Sequence, residues 1–213
     1  MREYSALVSF LSLLLTSRTM KHSELIAEIK AAFEDEPYPG DANIVYDNTG
    51  FHLECIEIRD AFKGHKWHEV PEDVLSTERT GLAFMSKAGF KYYLPTFMKS
   101  VLDDSSIVDD GIGMIVQLLK LPAEIDIAVV AEQIQRHDVS SMLPDVDLNE
   151  VLQNQLTQTN SGISTFIARA GQFTAMQGRV IHHFLVYVRD EFGDDFLSTE
   201  AELAIQRYWF QFA

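Results

Sequence analysis

His52, Cys55 and Arg59 are the residues of this chain whose types and spacing come nearest to a catalytic group. At i, i+3 and i+7 they share one face if the segment is a helix. Arg59 would then lower the thiol pKa and His52 would take its proton, the arrangement of an activated cysteine nucleophile. The same segment puts Cys55 in line with Phe51, Ile58 and Phe62, and that register favours a small buried core residue instead.

His52, Glu54 and Glu57 are the best metal-ligand candidates, with His65 and His68 further along. They are weak ones. Glu54 and Glu57 can share a helix face, but no H-E-x-x-H spacing is present, and isolated solvated side chains account for the set. No cofactor is expected. Asp145-x-Asp147-x-Asn149 opens like a calcium loop, yet Glu150 stands where the loop needs Gly and Leu156 where it needs Glu, so the reading fails. His182 and His183 are neighbours on a predicted helix, about 100° apart, and cannot readily hold one ion together. G-x-S-x-G, Walker A, G-x-G-x-x-G and C-x-x-C patterns are absent.

The elements that would position these residues are helices. The clearest lies within residues 84–102, where Phe90, Tyr93, Leu94, Phe97, Met98 and Val101 repeat at helical spacing behind a Ser86 cap. Pro95 in its middle predicts a bend at a cost of about 3 kcal/mol. Tyr92 and Lys99 leave the apolar line. The loop at Tyr38-Pro39-Gly40 and Trp67 are expected near that bend, and Tyr38, Trp67, Tyr92, Pro95 and Lys99 are the candidate binding residues. A loop packed on a kinked core helix is the plainer account of the same residues.

Other helices follow from caps and periodicity. Ser23 is read as the cap of a helix to about residue 33. Residues 51–62 form the next, stopped by Gly64. Pro71 suits the first turn of one reaching about residue 83. Residues 105–120 form another, and Leu121-Pro122 breaks it. Residues 123–135 fit a helix or a buried strand. Residues 138–162 are polar and poorly patterned, with a short helix expected at 148–156. Thr174–Gln177 and Thr199–Glu202 are read as capping boxes, and Gly193 as a C-cap between their helices. The fold class expected is all-α: one irregular helical bundle around a proline-bent central helix, spanning residues 20–213, less patterned at 121–162. Residues 1–19 are read as a hydrophobic extension, too short an apolar run to span a bilayer and without a signal cleavage site.

Net charge is −15, from 32 acidic and 17 basic residues. Such a surface disfavours nucleic acid and anionic membrane and suits a basic protein partner. DNA mimicry would need two carboxylate rows, whereas the acids are dispersed. A single cysteine, Cys55, precludes an internal disulfide and is compatible with the cytoplasm.

The landmarks Tyr38-Pro39-Gly40, Tyr92-Tyr93-Leu94-Pro95, Gln177-x-Arg179-x-Ile181-x-x-Phe184-Leu185 and Tyr208-Trp209, in that order, resemble a bacterial domain-of-unknown-function family. The resemblance covers about residues 20–120 and 165–210. It implies the domain limits and carries over no catalytic residue. The expectation is therefore a non-enzymatic acidic module that captures a basic protein, such as an immunity or regulatory protein of a bacterial conflict system. The alternative is a small hydrolase or metal-dependent enzyme using His52, Glu54 and Glu57.

Overall fold

The computed structural model describes residues 21–103, 108–143, 145–192 and 195–213, and they form an all-α fold. The expected extension at 1–19 and the Gly193 cap lie outside the described residues. The first helix among the described residues is α1 (His22–Phe33), and Lys21, not Ser23, holds its N-cap position. Lys21 is extended, and its N–H donates to Glu24 Oε2 at 3.3 Å, three residues on, so the helix starts two residues earlier than a Ser23 cap implies.

A loop with a 3-10 turn at Asp41–Asn43 leads to α2 (Leu53–Phe62). Phe51 was expected on this helix but precedes it and is 84% exposed. The cause is Asp47. Its carboxylate accepts from Thr49 N–H at 2.8 Å, Thr49 Oγ1 at 2.6 Å and His52 N–H at 3.2 Å, which holds 47–52 as a turn. Gly64 ends the following turn at φ +78°, a conformation that favours glycine. Pro71 caps α3 (Glu72–Thr77) rather than opening its first turn, and the helix stops short of residue 83. Glu78 leaves helical geometry, and the chain restarts as the single turn α4 (Gly81–Phe84).

α5 (Lys87–Asp103) is the predicted central helix and runs through Pro95 without a break. Ser86 caps it as expected: Gly89 N–H donates to Ser86 Oγ at 3.0 Å. The helix is buried on nearly every side, from Phe90 and Tyr92 through Met98. Its entry is sewn to the 44–46 segment by Ser86 N–H to Ile44 O (2.9 Å), Tyr46 N–H to Phe84 O (3.1 Å) and an isolated Val45–Met85 bridge. Gly89 makes this approach feasible, since a Cβ there would lie 2.0 Å from Ile44 O.

α6 (Val108–Leu119) packs on α5, and α7 (Glu124–Arg136) settles the ambiguity at 123–135 as helix. After the short α8 (Val139–Met142), α9 (Leu148–Ala170) is far longer than the 148–156 helix expected. Asp147 starts it, accepting from Asn149 and Glu150 N–H at 3.0 and 3.1 Å, and its far end reaches the core through Phe166 and Ala170. Arg169 fixes that end by donating to Ala83 O (3.1 Å) and Met85 O (2.7 Å) with its guanidinium 4.7 Å from the Phe90 ring centroid.

α10 (Ala175–Glu191) has the predicted capping box, with Thr174 and Gln177 bonding each other's backbone N–H at 3.2 and 3.1 Å. It packs on α1 and α11 (Asp195–Arg207). Thr199 lies inside α11 instead of starting a helix. Glu202, the partner that box requires, is held by Arg189 Nη1 at 3.0 Å and Gln206 Nε2 at 2.6 Å. A final 3-10 turn, Trp209–Phe212, buries Trp209, whose Nε1–H donates to Leu119 O at 2.7 Å.

Candidate functional site

The structure brings Tyr38, Trp67 and Tyr92 together and leaves Lys99 apart from them. Tyr92 was expected off the core face, but it is buried, because the 62–67 loop folds over that side of α5. Three α5 side chains hold this loop by its backbone. The Tyr92 hydroxyl accepts from Trp67 N–H at 3.4 Å. The Tyr93 hydroxyl faces Phe62 O at 2.9 Å and His65 O at 3.0 Å, and Thr96 donates to Trp67 O at 2.5 Å. Trp67 Nε1–H then donates to Phe33 O at 3.1 Å, which ties the loop to α1.

Tyr38 stands at the rim, 39% exposed, edge-on to Tyr92 with centroids 5.4 Å apart. Its hydroxyl donates to Asp41 and accepts from Gly64 N–H at 3.1 Å. Burial, and then the neighbouring Tyr38, pushes the Tyr93 phenol far above its ordinary pKa; burial also raises Tyr38 and Tyr92. All three are neutral donors or acceptors near pH 7. A groove of about 330 Å³ borders the hub, lined by Lys30, Glu34, Trp67 and His68. Pro95 is buried in the core, and Lys99 turns along its own helix to Asp103 at 2.5 Å.

The residues read for catalysis do not converge. Cys55 is fully buried. Arg59 donates to Asn48 Oδ1 at 2.6 Å and Asp60 at 2.8 Å, so its charge is engaged elsewhere. His52 lies at the N-terminus of α2 beside Tyr46 and Phe51, while Glu54 and Glu57 are exposed. His68 lies 3.6 Å from Glu69, and the backbone carbonyl of His65 accepts from Tyr93. No group of three His, Cys, Asp or Glu side chains able to hold a metal exists among the described residues. His182 and His183 diverge: His183 Nδ1 meets Glu28 Oε2 at 2.7 Å, and His182 Nδ1 is buried without a partner among the described residues. Burial, then the charges of His183 and Arg189, lowers the His182 pKa.

The surface that reading the sequence missed is the arm built by α7, α8 and the first half of α9. Ala131 and Ile134 face Leu148 and Leu152 across its seam. Outside that seam the arm shows Ile125 (61% exposed), Val129 (50%), Met142 (73%) and Leu143 (47%) to solvent. α7 contains no buried residue. Residues 121–162 hold seven Asp or Glu and a single cation, Arg136, which pairs with Glu132 at 2.5 Å. Among the described residues Glu124, Asp138, Asp145 and Glu150 meet no cation. The base of the arm is clamped by Arg207, which grips Asp126 at 2.7 and 2.8 Å and Leu121 O at 3.0 Å. Arg207 holds the Asp126 carboxyl below the usual carboxylate range. The Ile-Ala-Val-Val-Ala run at 127–131 looked like core material because apolar residues circle α7, and only their exposure distinguishes them.

A model for a family of unknown function, DUF6714, matches residues 21–213. The chain belongs to that family. No curated protein and no solved structure matches it. Among the described residues no helix is long and apolar enough to cross a membrane.

Proposed function

We propose that this DUF6714 protein is a non-enzymatic binding module that captures a basic protein through its α7–α9 arm. The observation that carries this reading is the combination on one arm of solvent-exposed Ile125, Val129, Met142 and Leu143 with carboxylates that meet no cation among the described residues. Exposed apolar side chains among like charges are the two halves of an interface: the apolar residues supply contact area, and the charge supplies steering and selection of a cationic surface. The occupant that fits is a cationic segment with an apolar face. An immunity or regulatory role in a bacterial conflict system is the biological form of this reading.

Capture from the native host at low and moderate salt, followed by cross-linking and mass spectrometry, tests it. The expected result is a stoichiometric basic partner, cross-linked within residues 121–160, whose retention falls as salt rises. A Val129→Ser/Leu143→Ser variant, whose changes are both on exposed positions, loses it. Absence of any stoichiometric partner, or cross-links confined to other surfaces, overturns the reading. The metal-dependent hydrolase reading of His52, Glu54 and Glu57 finds no converging ligand set in its favour.

A further inference from the structure

A cleft of about 450 Å³ separates the end of α6 from the C-terminal half of α9. Gln117 and Lys120 form one wall, and Ser161, Thr165 and Arg169 the other, with Leu118, Pro122 and Phe166 supplying apolar surface. The volume is within the range of small-molecule sites, and a mostly apolar lining with a few polar groups is their usual composition. Among the described residues no carboxylate is in its lining, and Glu200 is bonded to Gln117 and Lys120 of one wall.

Of the polar side chains facing this cleft, Gln117 and Lys120 are held by Glu200, whereas the exposed hydroxyls of Ser161 and Thr165 and part of the Arg169 guanidinium have no protein partner among the described residues. Thr157, Thr159 and Ser164, which lie off the cleft, each donate to the carbonyl four residues back at 3.0 Å. Ser161 and Thr165, on the cleft, make no such bond among the described residues. Arg169 uses one nitrogen, Nη2, for Ala83 O and Met85 O, and stacks on Phe90. Its Nη1 and Nε have no protein acceptor among the described residues, and no carboxylate neutralises it. Lys120, by contrast, is paired with Glu200. Burial without a counter-charge lowers the Arg169 pKa, the signature of a cation whose environment lacks its anion. A half-buried guanidinium with free N–H groups, flanked by hydroxyls and an apolar floor, matches a planar carboxylate on a compact apolar body.

We propose that this cleft binds a small apolar monocarboxylate, with its carboxylate on Arg169 and the Thr165 hydroxyl and its body against Leu118 and Phe166. The site is independent of the arm's outer surface. The test follows the Gly162 amide and the Arg169 Nε–H by NMR during titration with benzoate at constant ionic strength. Benzamide and inorganic phosphate serve as the neutral and the purely anionic controls. Saturable shifts with benzoate, at least about tenfold weaker with either control, are expected. Arg169→Gln should abolish them, but it also removes the bonds to Ala83 and Met85. Gly162→Leu keeps Arg169 and fills the cleft; a Cβ at 162 meets Pro122 Cγ at an ordinary 3.5 Å, and leucine is the better helix former. This variant is expected to stay folded and lose benzoate binding. Absence of saturation, equal response to benzamide or to phosphate, or undiminished binding by folded Gly162→Leu would each overturn the proposal.

Discussion

The aromatic hub over α5 and the arm of α7–α9 use opposite economies of side chains. At the hub Tyr92, Tyr93, Thr96 and Trp67 are all buried, and their polar atoms bond to backbone of the 62–67 loop or of Phe33. Little is left over for a ligand. On the arm Ile125, Val129, Met142 and Leu143 remain in water, and among the described residues Glu124, Asp138 and Asp145 meet no cation. A polar group held inside the fold stabilises it, whereas an apolar group kept outside contributes to stability only when a partner covers it. On the proposed reading the hub supplies stability and the arm recognition, and substitutions in each region can break that division.

The largest expected loss is at the entry to the hub. Gly89→Ala would place a methyl 2.0 Å from Ile44 O, against backbone that the Val45–Met85 bridge holds in place, and should cost more than about 4 kcal/mol in denaturant melts. Phe97→Ala follows. Phe97 is 3% exposed and stacks on Phe62 with centroids 5.8 Å apart, so the cavity should cost about 3 to 4 kcal/mol.

At the junction of the two regions, Asp126→Asn removes one charge from the Arg207 clamp and should cost about 1 to 2 kcal/mol. Because Asp126 has a lowered folded pKa, its stabilisation is present above its unfolded pKa near 4 and is lost as pH falls through the folded value. Acid melts of the wild type should show this loss below about pH 4, and the variant should lack that share of it. His182 acts at higher pH. Its folded pKa is lowered, so the unfolded chain takes up the proton first, and stability declines as pH falls below about 6.5. His182→Phe should flatten that part of the profile.

The smallest effects belong to exposed positions. Lys99→Ala should change stability by no more than about 0.5 kcal/mol, because its pair with Asp103 is a partly exposed i,i+4 contact. Val129→Ser should be as mild in melts, yet it should weaken capture of the basic partner. A large stability loss there would place Val129 in the core and erase the distinction between the regions.

Much of the hub was legible in the sequence. Phe90, Tyr93, Leu94 and Phe97 mark the central helix by spacing, and Ser86 marks its start by chemistry. Of the two capping boxes expected, Thr174 with Gln177 is the one that forms. What failed were local signals decided by distant partners. Thr199 and Glu202 spell the same box, but Arg189, thirteen residues earlier, takes the carboxylate. Phe51 belongs to the periodic line of α2, yet Asp47 folds its backbone into a turn. Tyr92 sits off the stripe of α5, and only the returning 62–67 loop buries it. For the site, the chemistry-bearing residues were visible but their separation was not. The arm was hidden for the reverse reason: a run such as Ile127–Ala131 reads as core until the fold leaves Val129 and Val130 exposed among the described residues.

Amide hydrogen exchange of the chain alone and of the chain eluted with its captured partner tests the central claim most directly. In the free protein, amides of α5 and the 62–67 loop should exchange only through global unfolding, and amides of α7 and the first half of α9 through easier local opening. In the complex, protection should rise across residues 121–160 and stay unchanged at the hub. Equal protection of hub and arm in the free chain, or new protection at the hub with none on the arm, would contradict the account.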